Sequence, residues 1–480
     1  MEQLKRIHSG ITGLDAILKG GLVAGASYII QGRPGSGKTI LAHQVAFNHV
    51  REGGRVLVAT LLAESHERLF QFLSTLSFFD RSKVGTDIQF ISAFDTLDHD
   101  GLDEVVKLMR REISRHDATL LIVDGLLNAR TKANTQLDSK KFIIELQGHA
   151  AFAGCTVLFL TSSRQNEGSP EYTMVDGIIE LSEELYGSRS VRRIHLRKTR
   201  GGGALSGLHE FEIGDAGLVV YPRIESLYRV PSCRDGTDTS RVNSGIAKLD
   251  QMIGGGLPRA SITLLMGPSG IGKTSLGINF LAQSSVAEPG LLFGFYETPE
   301  RTRLKARAIG VDLQALEDSG AMHLIWQPTT EALLDSLGAR LLEAVRAKGI
   351  KRLVIDSLGG MAQATTNPAR MVEFFSALMN ELRACGVTAF VTWEMRDLFG
   401  SEINAPGPGL SGIVDNLVLM RFVEMQSELK RLLSILKMRD SVYDPALLEM
   451  VINENGIDLN KAFKHAESVL SGIAKPVGGS

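Results

Sequence analysis

The pattern G-x-x-x-x-G-K-T occurs twice in one chain, as GRPGSGKT from Gly32 to Thr39 and as GPSGIGKT from Gly267 to Thr274, 235 positions apart. Few strings of this length constrain a fold as tightly. The pattern works where a buried strand runs into it and a helix leaves it. Its glycines then let backbone N–H groups close around phosphate oxygens, and the positive end of the helix faces the same anion. Both copies have the strand that this geometry needs, SYIIQ before the first and SITLLM before the second.

The duplication extends well past the loops. SGITGLDAILKGGLVAGASYIIQGRPGSGKT, from Ser9, matches SGIAKLDQMIGGGLPRASITLLMGPSGIGKT, from Ser244. In the same order LAESHERL matches YETPERTRL, LLIVDGL matches LVIDSLG, VDGIIEL matches VDNLVLM, and LRKTRGG matches LKMRDSV, with offsets between 232 and 239. A repeat of this length is a duplicated domain rather than a solenoid unit. At 480 residues the chain also exceeds what one hydrophobic core usually serves. The boundary is expected between Tyr221 and Ser240, where Pro, Asp, Gly and Ser accumulate, giving domains of residues 1–230 and 237–480.

Within each half, short apolar runs alternate with helical patterns. SYIIQ, RVLVATL, TLLIVD and TVLFLT read as buried strands in the first half, and SITLLM, GLLFGF, RLVIDS and TAFVTW in the second. Met371, Phe374, Leu378 and Leu382 recur at helical spacing, with Gly386 placed as a C-terminal cap. The fold class is therefore α/β, with a mainly parallel sheet flanked by helices in each half.

Each loop implies a set of roles. Gly32, Gly35, Ser36, Gly37, Lys38 and Thr39 form the first cradle; Gly267, Gly270, Ile271, Gly272, Lys273 and Thr274 form the second. Lys38 and Lys273 are expected to reach the β- and γ-phosphates of ATP, and the hydroxyls of Thr39 and Thr274 to hold Mg²⁺. Asp124 and Asp356 end apolar runs, which places each carboxylate at the strand edge where ligands bind and the metal shell needs support. Capping of the next turn is the competing role for these aspartates. Glu64 and Glu297 follow the second strand of each half, in reach of the phosphate position, as candidates to polarise an attacking water. A helix-cap contact competes for both. Lys198 with Arg200, and Lys437 with Arg439, alternate along late strands and so project in pairs to one face. They serve either as solvated charges or as cations reaching a neighbouring subunit's phosphates.

Composition narrows the partners. A formal net charge of −2 provides no global pull toward nucleic acid or anionic membranes, and 6% aromatic residues give little for base stacking. Cys155, Cys233 and Cys385 match no metal-ligand spacing and read as reduced packing thiols. The start MEQLKRIHSG lacks the apolar stretch of a secretory signal, no run suggests a membrane span, and the expected location is the cytoplasm.

Together these features resemble the KaiC family of RecA-like ATPases with two tandem domains, over nearly the whole chain and most specifically in MRFVEMQSELKRLLSILKMRDS. The resemblance implies a homohexameric double ring with ATP at subunit interfaces, Lys198, Arg200, Lys437 and Arg439 acting in trans, and a protein partner for signalling. It also exposes departures. The family pattern has two adjacent glutamates after the second strand; Ala63 and Tyr296 take the first position here, leaving Glu64 and Glu297. It further implies an adjacent Ser-Thr phosphorylation pair, of which GPGLSGIVDN keeps Ser411 and replaces the threonine by Gly412. Besides an ATPase, three readings stay open: an autokinase using Ser411, a RecA-type or helicase-like nucleic-acid motor, and a non-catalytic scaffold assembled by nucleotide. In the tail, Phe463, Ala466, Leu470 and Ile473 suggest a helix packed on its own domain.

Overall fold

The structure, a computed structural model, describes residues 4–63, 65–133, 136–162, 170–233, 238–395, 409–425, 428–439, 441–461, 466–467 and 475–476. The chain divides into two compact units, Met1–Leu227 and Tyr228–Ser480. Each contains one nine-stranded sheet.

In the first unit the strand order is Gly217–Tyr221, Leu208–Gly214, Arg189–Thr199, Gly177–Tyr186, Ser27–Gln31, Thr156–Thr161, Leu120–Asp124, Val56–Thr60 and Ile88–Ser92. The six strands from Gly177–Tyr186 to Ile88–Ser92 run parallel, and the other three extend one edge as antiparallel neighbours. The second unit repeats this order from Gly456–Lys461 through Leu448–Asn453, Glu428–Lys437, Asn416–Met425, Ile262–Gly267, Thr388–Glu394, Arg352–Asp356 and Gly290–Gly294 to Met322–Trp326. Every strand expected from the apolar runs is present. The edge strands Ile88–Ser92 and Met322–Trp326 are additional, and their half-buried residues leave no continuous apolar run to read.

Burial on both faces explains those runs. In the first unit Tyr28, Ile30, Val58, Ile122 and Leu158 face one core, packed with Leu41, Val45, Ala46 and Phe47 of helix Lys38–Arg51. Ile29, Leu57, Leu121, Val157 and Phe159 face the other, against helices Leu102–His116 and Gln136–Phe152. The helix expected around Leu378 spans Met371–Ala384 and stops where Gly386 adopts φ +72°.

The sheet's centre, the strand entering the phosphate loop, is gripped at its start in both units by an aspartate that precedes the next strand. Asp176 accepts from the N–H and Oγ–H of Ser27 at 3.0 and 3.1 Å. Asp415 accepts from the N–H of Ile262 at 2.9 Å, pairs with Arg383 at 2.9 Å, and lies 3.5 Å from Arg439. The connecting segment is anchored on the second unit. Ser232 donates its N–H and Oγ–H to the fully buried Glu381 at 2.8 and 2.5 Å, and Arg346 completes that carboxylate's shell.

In the tail, Ala466–Glu467 pairs antiparallel with Lys475–Pro476, in place of the expected helix. Phe463, Leu470 and Ile473 lie outside the described residues. Among the described residues no helix is long and apolar enough to cross a membrane.

Two tests of this packing follow from its charged and titratable groups. Replacing Asp415 by Ala strands the largely buried Arg383 and frees the head of the central strand, so the second unit should lose about 2–4 kcal/mol in urea denaturation. The second test concerns His43, which burial holds at a pKa of about 4, against 6.5 when unfolded, while its Nδ1–H donates to the Thr39 carbonyl at 2.7 Å. The unfolded chain binds that proton below pH 6.5 and the folded chain only near pH 4. Its contribution is therefore complete above 6.5 and falls as the pH drops, by about 1.4 kcal/mol per pH unit at most. His43→Leu, apolar like Ile278 at the matching place in the repeat, should flatten the fall in denaturation free energy between pH 6.5 and 4.

Candidate functional site

Both phosphate loops sit at the C-terminal edge of the parallel strands, between the central strand and its following helix. Gly37 and Gly272 are the N-terminal caps of helices Lys38–Arg51 and Lys273–Leu281, at φ +98° and +112°. Both conformation and space demand glycine there. A Cβ on Gly37 would meet Cδ1 of Ile213 at 2.7 Å, and one on Gly272 would meet Cδ1 of Ile452 at 2.6 Å. Gly35 and Gly270 also have positive φ, and the space beside them is open.

Each loop lysine folds back over its own loop. Lys38 Nζ donates to the carbonyls of Gly32 and Arg33 at 2.9 and 3.0 Å. Lys273 Nζ donates to those of Gly267 and Pro268 at 2.8 and 2.7 Å. Burial lowers both ammonium pKa values, opposed by Asp124 for Lys38 and by Glu394 and then Asp356 for Lys273. Ser36 and Ile271, the variable positions of the loops, are buried, and the Ser36 hydroxyl has no hydrogen-bond partner.

In the second unit the loop opens into a cavity of about 700 Å³ lined by Lys273, Thr274, Tyr296, Glu297, Asp356 and Glu394 among others. Asp356 ends its strand and accepts from Thr274 Oγ1 and Thr392 Oγ1, both at 2.6 Å, one on each carboxylate oxygen. The hydroxyl and carboxylate expected to share a metal thus already touch. Among the described residues no group of three or more His, Cys, Asp or Glu forms a metal cluster. A site of one carboxylate, one hydroxyl and substrate phosphates suits Mg²⁺, which keeps most of its shell as water and phosphate oxygens. In the first unit Asp124 ends its strand in register with Thr60. Leu160 stands where the second unit has Thr392.

Glu297 lines the cavity and forms an ion pair with Lys305 of helix Pro299–Arg307; its Oε2 is buried without a hydrogen-bond partner. Glu64 lies outside the described residues. Tyr296 accepts a hydrogen bond from Gln363 Nε2 at 3.1 Å, and burial, then Glu394, raise its phenol pKa.

The basic pairs are placed elsewhere. Lys198 Nζ donates to the carbonyls of Tyr172 and Thr173 at 2.7 and 3.2 Å, and Arg200 to Thr173 at 3.3 Å. Lys437 Nζ donates to the carbonyls of Ser411 and Val414 at 2.9 and 2.7 Å, and Arg439 to Gly412 at 2.7 Å. Burial followed by the neighbouring arginine lowers both lysine pKa values. Lys437 and Arg439 do not line the second unit's own cavity. Ser411 is exposed on the short helix Leu410–Ile413.

Four further residues come to the loops without a sequence motif to mark them. Arg192 donates to the Gly35 carbonyl at 3.3 Å, and Arg431, its counterpart six residues before the second basic pair, lines the second cavity. Lys305 and Glu394 line it as well. Recurrence at matched places was the available signal for the arginines; the other two have none.

A family model described as ATPase: KaiC matches residues 7–225 and again 242–463. The circadian clock oscillator protein KaiC of Picosynechococcus sp. is 26% identical over 485 residues, spanning 98% of this chain and 92% of that protein. Proteins of the same name from Rippkaea orientalis and Thermostichus vulcanus are 26% identical over 486 residues each, spanning 98% of this chain and 91% and 92% of theirs. With one phosphate loop inside each matched segment, and the same RecA-like sheet built around both, this chain belongs to the KaiC family of ATPases.

Proposed function

We propose that both units bind ATP with Mg²⁺, that the chain hydrolyses it as a homohexameric double ring with nucleotide at subunit interfaces, and that nucleotide state is signalled to a protein partner. The observation that carries this reading is the Thr274–Asp356 hydrogen bond beside the Lys273 ammonium, at the mouth of a cavity large enough for a nucleotide. Thr274 and Asp356, with Thr39 and Asp124 in the first unit, would hold Mg²⁺, which when bound offsets charge on the phosphate oxygens. Lys38 and Lys273 supply a fixed cation to the same oxygens, and the helices behind them add their N-terminal dipoles. The loop glycines, with Ser36 and Ile271, shape the backbone around the anion. Moving an ammonium from loop carbonyl to phosphate replaces one hydrogen-bonded state by another, so binding leaves no buried charge unpaired.

Assembly in trans is supported by where the basic pairs lie. Each is held by carbonyls of a short helix and kept off its own phosphate loop in the second unit, at a place from which Arg200 and Arg439 reach solvent. The same placement favours a second reading, autophosphorylation of Ser411. That hydroxyl is exposed beside Lys437 and Arg439, so a neighbour's nucleotide brought to the pair meets it. Gly412 offers no second acceptor. The location in the cytoplasm is part of this proposal, and nucleic acid has no place in it.

Lys273→Ala should weaken uptake of a fluorescent ATP analogue by the second unit about 10- to 100-fold, the cost of losing a charge-assisted hydrogen bond. Lys38→Ala should do so in the first. Either substitution should also shift the particle to smaller sizes in size-exclusion chromatography, because interfacial nucleotide stabilises the ring by mass action. Unchanged titrations for both variants would reject the nucleotide reading.

A further inference from the structure

The cavity of the second unit holds more carboxylates than the loop motif requires, and their surroundings differ. Asp356 has both oxygens occupied by threonine hydroxyls. Glu297, the glutamate that the repeat pattern singles out, is matched by Lys305 on one oxygen and closed to solvent on the other. Tyr296 stays a phenol, since burial and then the charge of Glu394 hold its proton. Glu394 is different: it is exposed, lines the cavity, and makes no hydrogen bond or ion pair among the described residues.

Its position is set by the sheet. Glu394 ends strand Thr388–Glu394 in register with Gly267, the first residue of the phosphate loop. The next residue, Met395, donates its N–H to the Gly267 carbonyl at 3.0 Å, which ties the two strand ends together. The carboxylate is near enough to influence both Lys273 and Tyr296.

Comparison of the two repeats sharpens the point. The strand register puts Ser162 of the first unit at the place of Glu394, and matching LAESHERL with YETPERTRL puts Phe72 at the place of Lys305. The half with a lysine against its glutamate therefore also carries a carboxylate on the strand beside the phosphate-loop strand. The first half has Phe72 and Ser162 at those two places.

From this geometry we infer that Glu394, not Glu297, is the group that orients and deprotonates the attacking water in the second unit. The inference rests on the ATP-hydrolysing reading proposed above. The water oxygen bonds to the γ-phosphorus as the bond from that phosphorus to the β–γ bridging oxygen breaks. The water's proton passes to the Glu394 carboxylate and then to solvent, leaving ADP and inorganic phosphate. Lys273 stays on the phosphate oxygens throughout, and Glu297 with Lys305 serves as a neutral pair in the cavity wall.

The test uses the full chain carrying Lys38→Ala, at protein and Mg²⁺–ATP concentrations where it elutes at the unsubstituted chain's size, so that turnover reports the second unit in the assembled particle. In that background Glu394→Gln should lower kcat for ATP about 100-fold or more, with KM and binding of a fluorescent ATP analogue changed less than about threefold. Glu394→Asp should fall between, and Glu297→Gln should cost less turnover than Glu394→Gln. A Glu394→Gln chain that turns over at its parent's rate overturns the assignment, as does a larger loss from Glu297→Gln. Loss of nucleotide binding in Glu394→Gln would also overturn it, since it makes the residue part of the binding cradle. If the Lys38→Ala parent binds the analogue but releases no phosphate, the assignment fails while nucleotide binding by the second unit stands. If it binds none, the underlying reading of the second unit fails.

Discussion

Two lysine ammonium groups, each folded back onto the carbonyls of its own loop, hold this structure's chemistry together. Each ammonium ties two carbonyls at the start of its loop to the first residue of the following helix, closing the loop on itself. The geometry also explains the cost of glycine at the helix caps. Gly37 and Gly272 pack against Ile213 and Ile452 of the antiparallel extension, so those late strands determine where the phosphate loop can sit.

The repeat is a duplication whose copies have diverged at the site while retaining the fold. Strand order, the aspartate that grips the central strand, and the basic pair on short-helix carbonyls recur in both units. Around the phosphates they differ. Thr392, Lys305 and Glu394 stand against Leu160, Phe72 and Ser162, and the buried His43 stands against Ile278. These substitutions change the polar and charged groups beside the phosphate loop.

Much of the architecture is legible in the chain because strands buried on both faces write themselves as unbroken apolar runs, as SYIIQ and LLIVD do. Edge strands such as Met322–Trp326, half-buried and mixed in composition, do not. The phosphate loops are legible because backbone geometry forces glycine at fixed spacing. Contacts across the sheet are not. Thr392 meets Asp356 from 36 residues away, and Glu394 comes to Gly267 only through strand register. The tail shows the opposite failure: Ala466, one of the apolar residues at helical spacing, lies in a two-residue strand paired with Lys475–Pro476.

The central claim is that each unit is a complete nucleotide cradle. It is tested most directly by native mass spectrometry of the intact particle after incubation with Mg²⁺ and a non-hydrolysable ATP analogue, counting nucleotides per chain. Two per chain is the expected result. A particle that binds only one, or none, at millimolar analogue would contradict it.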